Sequence, residues 1–167
     1  DIKRGDVIVF QSPEDIDIDC VKRVVGLPGD KILWQQQRLF INGTPQKTIK
    51  QPISTKLLEK FSLQPNSLDK LYQEYLGQEP HWILHANSNE AHPNQTWPQN
   101  AGSFVVPEES YIVFGDNRSE SRDSRAWGEV PRSYIKGKVL MVLWSVQQDS
   151  DHWLPAVRLN RLAKLIQ

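Results

Sequence analysis

The sequence predicts a mostly β protein, and three observations carry that prediction. Short apolar runs rich in valine and isoleucine recur at both ends of the chain, turn pairs such as Pro28-Gly29 and Asn42-Gly43 divide them, and only one stretch, near residues 66–77, shows helical spacing. With 167 residues, 38% of them hydrophobic, the chain can bury one core and carry a smaller inserted lobe.

The elements follow in order. "DVIVF" (6–10) is a nearly continuous apolar strand and "CVKRVV" (20–25) a second, joined by the acidic loop "SPEDIDID", so the two are expected to pair as a hairpin. "KILWQQQRLFINGTPQ" (31–46) divides into two short strands, with one turn near Gln35–Gln37 and another at Asn42-Gly43, residues that tolerate positive φ. Leu68, Leu71, Tyr72, Tyr75 and Leu76 fall at helical spacing after an Asn66 or Ser67 cap and before Gly77, which predicts one short helix. "HWILHA" (81–86) reads as a strand and residues 87–102 as a polar, turn-rich loop. Strands resume at "SYIVFGD" (110–116) and within "VPRSYIKGKVLMVLWSV" (130–146), before a basic tail.

Composition excludes several function classes. Lysine plus arginine equals aspartate plus glutamate at 20 each, so no long-range field favours nucleic acid. One cysteine, Cys20, excludes an internal disulfide. The apolar run Val139–Trp144 is far shorter than the roughly 20 residues of a membrane helix. The chain opens at Asp1 without methionine, in strand-like sequence, which suggests an excised or processed piece. No metal-ligand spacing appears, so neither metal nor cofactor is expected.

Two segments carry chemistry. Lys22 stands inside the apolar run 20–25. Either it snorkels to water along its stem, or apolar surroundings disfavour its charged form until the neutral amine can act as a base. "GDNRSESRDSRAWG" (115–128) follows a strand and concentrates Asp116, Arg118, Glu120, Arg122, Asp123 and Arg125. Alternating charge of this kind suits a solvated loop, or an ion-pair lattice within the loop that holds a hydroxyl such as Ser121 or Ser124.

Three segments in order, "KRGDVIVF", "CVKRVVGLPGD" and "GDNRSESRDSRAWGEVP", resemble boxes C, D and E of bacterial type I signal peptidase, also called leader peptidase. "LFINGTP", "VPEESYIVFGDNR" and the closing "WLPAVRLNRLAKLIQ" extend the match over most of the chain outside about residues 47–80. The resemblance implies a core of twisted antiparallel sheets from residues 1–30 and 103–167, with a β-rich lobe holding the short helix inserted at 31–102. It also implies a Ser/Lys dyad protease, membrane-associated, that removes signal peptides from secreted preproteins.

Carried over by position, Lys22 matches the general base and Ser121 the serine that orients it. Asp123 and Arg125 match a supporting ion pair, and Gly115, Asp116, Asn117 and Arg118 the motif that opens box E. Val9, Asp19, Cys20 and Val21 match positions lining the substrate cleft. Ser119 and Glu120 depart from the usual Asp-Asn, and Cys20 from a frequent tyrosine; for Cys20 a small buried hydrophobe is the expected reading. The histidines, His81, His85, His92 and His152, fall outside the matched boxes and read as structural or surface residues.

No segment matches box B, which carries the family's nucleophilic serine, and Ser12-Pro13 lies in the wrong context. The expectation is therefore an inactive piece of an enzyme anchored at the periplasmic face of the bacterial inner membrane by an N-terminal segment not present here. Its expected partners are signal-peptide-bearing preproteins and a lipid surface touched by Trp144 and Trp153, with core burial of those tryptophans the alternative. Self-association through the sheet edge left without box B is also expected. A peptidase for conjugation or pilus precursors, or a catalytically silent binding subunit, are the rival readings.

Overall fold

The computed structural model describes residues 1–61, 70–77, 79–85, 102–142, 146–147, 156–157 and 164–165. The first two strands, β1 (Val7–Gln11) and β2 (Asp19–Gly26), pair antiparallel as the expected hairpin, with Ile8 opposite Lys22 and Phe10 opposite Cys20. Next come β3 (Lys31–Gln35), β4 (Arg38–Ile41), β5 (Thr44–Pro45), β6 (Lys47–Gln51), helix α1 (Thr55–Phe61), β7 (Lys70–Tyr75) and β8 (Pro80–His85). The chain continues through β9 (Phe104–Val105), β10 (Ser110–Phe114), helix α2 (Ser124–Trp127), β11 (Val130–Pro131), a 3-10 turn at Arg132–Tyr134 and β12 (Ile135–Lys138). Two short pairs, Met141–Val142 with Lys164–Leu165 and Val146–Gln147 with Ala156–Val157, complete the described strands.

The central sheet has the order β11-β10-β2-β1-β12 and is antiparallel throughout. β10 lies against only the second half of β2: Phe114 faces Arg23, Val113 faces Val24 and Ile112 faces Gly26, with a bulge between Ile112 and Val113. Gly26 permits this approach, because a Cβ there would come within 2.9 Å of Ile112 Cβ. Both faces of this half are covered. Val24 joins Ile8, Phe10, Tyr111, Val113 and Val130 on one side. On the other, Val25 packs with Ile32, Leu39, Ile41, Leu76, Val106, Ile112 and Phe114. That second cluster draws on the central sheet and on the sheet β5-β4-β3-β9 together.

Turn chemistry matches the sequence. Asn42 and Gly43 both take positive φ between β4 and β5, and so do Gln36 and Gln37 between β3 and β4, the geometry that suits the twist of a tight hairpin.

The helix lies elsewhere than the spacing predicts. Residues 70–75 form β7, the middle strand of the sheet β6-β7-β8, and Leu68 with its expected cap at Asn66 or Ser67 lies outside the described residues. Leu71, Tyr72, Tyr75 and Leu76 satisfy a helical period over so short a run, but pairing on both edges satisfies the β7 backbone ladder, and tyrosines suit a pleated surface. The short helix is α1, where Ser54 caps the first turn: its carbonyl accepts from Leu57 N and Leu58 N, and its hydroxyl lies 3.4 Å from Leu57 N. Apart from Gly102, the polar loop at 87–102 lies outside the described residues, as do Trp144, Trp153, His92 and His152.

Candidate active site

Lys22 sits where β2 changes character. It shares a face with Cys20 and Val24 by strand alternation and lies opposite Ile8, so its neighbours on that face are apolar. The side chain is half-buried and takes no hydrogen bond or salt bridge among the described residues. Phe114 is the last β10 residue paired with β2, facing Arg23, and the register extended by one residue brings Gly115 level with Lys22. A Cβ on Gly115 would collide with Ser121 Oγ and Cβ, so Ser121 occupies the space that a side chain at 115 would fill. Glycine is required there for close approach.

Ser121 Oγ is buried and makes no hydrogen bond among the described residues. The loop around it is fixed instead by Asp123, whose Oδ2 accepts from Gly115 N at 2.9 Å and from Arg125 Nη2 at 2.7 Å, while Oδ1 accepts from Arg125 Nε at 2.8 Å. Asp123 also caps α2 by accepting from Arg125 N. Burial opposes ionisation of Asp123, but the Arg125 guanidinium and the Gly115 N–H overcome it and hold the carboxyl below its usual range. The neighbouring Ser121 hydroxyl adds to the lowering of the Asp123 carboxyl. Ser124 serves the scaffold, its Oγ accepting from Val113 N at 2.9 Å.

The ion-pair lattice differs from the expectation of pairs inside the loop. Among the described residues only Asp123–Arg125 is internal. Arg118 pairs through both Nη atoms with Glu74 on β7, Arg122 with Glu14, and Asp116 receives Arg23 Nε and Nη2 at 2.9 and 2.8 Å. Arg23 Nη1 also donates to Gly5 O at 2.8 Å. Asn117 Nδ2 donates to Glu120 at 3.0 Å. The guanidiniums of Arg118 and Arg125 also lie over the rings of Trp34 and Phe114, at 4.8–5.6 Å from the centroids.

Glu74, His81 and His85 carry no motif and were invisible as site residues; each is buried on β7 or β8. Burial raises the Glu74 carboxyl, but Arg118 and His81 outweigh it and bring it down to about 2. Burial also lowers His81, whose Nε2 stands 3.1 Å from Glu74 in an orientation too oblique for a hydrogen bond. His85, stacked on Trp34, is lowered to about 4 by burial and then by Arg118 and Arg125. Both histidines are therefore neutral near pH 7. The one signal in the sequence was the pair of histidines, His81 and His85, at alternate positions of the strand-like run 81–86.

The other residues read from the sequence lie along the open half of β2. Asp19 is exposed and paired with Lys136 at 2.7 Å, Cys20 is half-buried against the cluster of Ile8, Phe10 and Val24, Val21 is 53% exposed, and the half-buried Val9 faces Val21 across the ladder. Among the described residues no group of His, Cys, Asp and Glu is arranged to hold a metal ion, and no helix is long and apolar enough to cross a membrane.

Comparison with known proteins gives this geometry its context. A family model described as signal peptidase, peptidase S26, matches residues 1–144. The signal peptidase I of Pseudomonas fluorescens is 38% identical over 169 residues, covering 93% of this chain and 54% of that protein. That of Buchnera aphidicola subsp. Schizaphis graminum is 31% identical over 189 residues, covering 98% and 60%. A crystal structure of a signal peptidase I from Enterococcus faecalis is 26% identical, covers 83% of this chain and 97% of that one, and superposes with a TM-score of 0.48. The chain thus spans 54% and 60% of the length of these two curated relatives. With boxes C, D and E all inside the span that the family model matches, the chain belongs to the type I signal peptidases of the peptidase S26 family.

Proposed function

We propose that this chain carries the general base and its supporting loop in a membrane-associated Ser/Lys endopeptidase that removes signal peptides from secreted preproteins. One observation carries the reading: at the point where β10 leaves β2, a half-buried lysine among apolar neighbours stands level with Gly115, against which a serine with a buried, unbonded hydroxyl is packed. In this mechanism neutral Lys22 Nζ takes the proton from the attacking serine, which the family places upstream of box C, as its oxygen adds to the scissile carbonyl. The ammonium then protonates the departing amine, and the acyl-enzyme is hydrolysed by a water that Lys22 deprotonates in turn. Ser121 orients Lys22, while Asp116, Asn117, Arg118, Asp123 and Arg125 hold Ser121 in place. Asp19 to Lys22 have β1 on one side and no strand on the other among the described residues. An extended preprotein segment adds to that edge through backbone hydrogen bonds, with Val9, Cys20 and Val21 lining its small-residue pockets. Membrane anchorage, the periplasmic face and the division into a core and an inserted lobe at 31–102 belong to the same reading.

The test is cleavage of a preprotein with small residues at the first and third positions before the cut, by the whole protein as expressed in its host. Lys22→Ala and Lys22→Arg should both abolish turnover, the second because guanidinium keeps its proton. Turnover of Lys22→Ala near the wild-type rate would overturn the assignment. The open edge also predicts that the isolated 167-residue chain pairs with a second copy or captures an extended peptide without hydrolysing it. A clean monomer by sedimentation, with unchanged amide exchange in residues 19–22 when the peptide is added, would reject that part.

A further inference from the structure

We infer that Glu74, on the β7–β8 hairpin, is a positioning residue for the proposed reaction: it fixes the Ser121 loop against Lys22 through the buried guanidinium of Arg118. The inference rests on the function proposed above. Glu74 and Arg118 are each 1% exposed and lie 44 residues apart in sequence. A carboxylate and a guanidinium withdrawn from water to that degree are a poor way to gain stability, since well-packed apolar residues would serve as well or better. What the pair provides is a fork of two parallel hydrogen bonds, which locates one group relative to the other in distance and in plane.

The contacts around the pair give that constraint a direction. Leu84 on β8 grips the same part of the loop by its backbone, donating N–H to Asp116 O at 2.9 Å and accepting from Arg118 N at 2.8 Å, in a parallel bridge at Asn117. Beyond it, Arg118 O accepts from Arg125 Nη2 at 2.6 Å, Arg125 holds both oxygens of Asp123, and Asp123 accepts from the N–H of Gly115. Gly115 abuts Ser121. An unbroken run of buried, charge-assisted bonds therefore joins Glu74 to the residue level with Lys22.

Charge is balanced only with Glu74 in place. Two guanidiniums, Arg118 and Arg125, face two carboxylates, Glu74 and Asp123, and the neighbouring histidines are neutral near pH 7. Neutralising Glu74 leaves Arg118 as a buried cation over Trp34 and Phe114 with no carboxylate, and its shift drags the 116–118 segment away from Leu84. The peptide-binding edge at Asp19–Lys22 belongs to β1 and β2 and is untouched by this change. The loss therefore falls on the chemical step and spares peptide binding.

The experiment compares Glu74→Gln and Arg118→Lys in the whole protein, at a temperature well below melting, with wild type and Lys22→Ala measured beside them on a signal-peptide substrate. Expected are a fall in kcat of tenfold or more in both variants, KM within twofold of wild type, and amide exchange at Gly115 at least tenfold faster. A kcat within twofold of wild type, or a rise in KM that accounts for the whole loss, would overturn the inference. If Glu74→Gln does not fold, Arg118→Lys, which keeps the charge and loses the fork, decides alone. If neither folds, the pair is a stability element and the inference falls. Failure of the parent reading looks different: wild type would not cleave, or Lys22→Ala would cleave normally, whereas Gly115 exchange would still report whether Glu74 holds the loop.

Discussion

The two halves of β2, Asp19 to Lys22 and Arg23 to Gly26, each carry a cation and a valine, and they have opposite fates. Arg23 to Gly26 are buried without exception, flanked on one side by β10 and on the other by Val7 at Arg23 and by the backbone of Gly5 and Asp6 at Val24, and covered on both faces by apolar clusters. Asp19 to Lys22 alternate between exposed and half-buried, with β1 on one side and none of the described strands on the other. The difference teaches how a lysine proposed as a general base can be held without being surrounded. Its backbone continues a strand segment that is buried on both faces and paired with β10, so Lys22 keeps one position while the edge beside it has no strand partner among the described residues. Arg23 marks the boundary, turning its guanidinium to Asp116 and Gly5 O and tying the site loop to the strand at the residue next to Lys22.

Substitutions on either side of that boundary should separate activity from stability, and the largest effect belongs to the open half. Lys22→Ala should lower kcat/KM for a preprotein by about 10³-fold or more, as losses of a nucleophile's base do, with a melting temperature near wild type. A parallel collapse in melting temperature would mean that the open half is as structural as the closed one. Next in size is the loop that β10 feeds: Arg125→Ala should cost roughly 3 kcal/mol in denaturant unfolding and reduce activity as well, because it leaves Asp123 buried without its partner.

Acid should weaken the buried side selectively. His85 has a folded value of about 4 against an ordinary 6.5, so the unfolded chain takes up its proton first on acidification. Its contribution is complete above pH 6.5 and is lost as pH falls towards 4, by up to about 3 kcal/mol. Glu74, lowered from 4.5 to about 2, follows with stability present above 4.5 and lost below it. Urea midpoints measured from pH 7 to 4 should therefore decline, and His85→Phe should flatten the upper part of that slope; an unchanged slope would remove His85 from the account. Val24→Ala, in the closed half, should cost about 2 kcal/mol for its lost contacts and cavity and leave kcat unchanged below the melting range. Smallest is Val21→Ser in the open half, expected within about 0.5 kcal/mol of wild-type stability. Its effect should be confined to KM for the peptide, measured by initial rates.

Local chemistry decides what can be read without coordinates. The strands "DVIVF" and "CVKRVV", their hairpin, the turn at Asn42-Gly43 and the three boxes in order depend on residue type and on neighbours close in the chain, and all were legible. Residues 70–75 were misread because a six-residue run with two tyrosines and a leucine satisfies a helix and a strand alike, and only the β6 and β8 ladders on its two edges choose between them. The lattice around Ser121 was half legible: Asp123 and Arg125 are two residues apart and find each other locally, whereas Arg118 finds Glu74 from 44 residues away and Arg122 finds Glu14 from 108. By itself the sequence determined which residues could do the chemistry, a lysine in an apolar strand and a serine among arginines and carboxylates. The tertiary structure alone decided that β10 stops at Arg23, that Ser121 fills the space beside Gly115, and which acid neutralises each buried guanidinium. The reason is physical: a charge taken out of water must meet its counter-charge within a few ångströms, and no spacing along the chain specifies which distant strand brings it there.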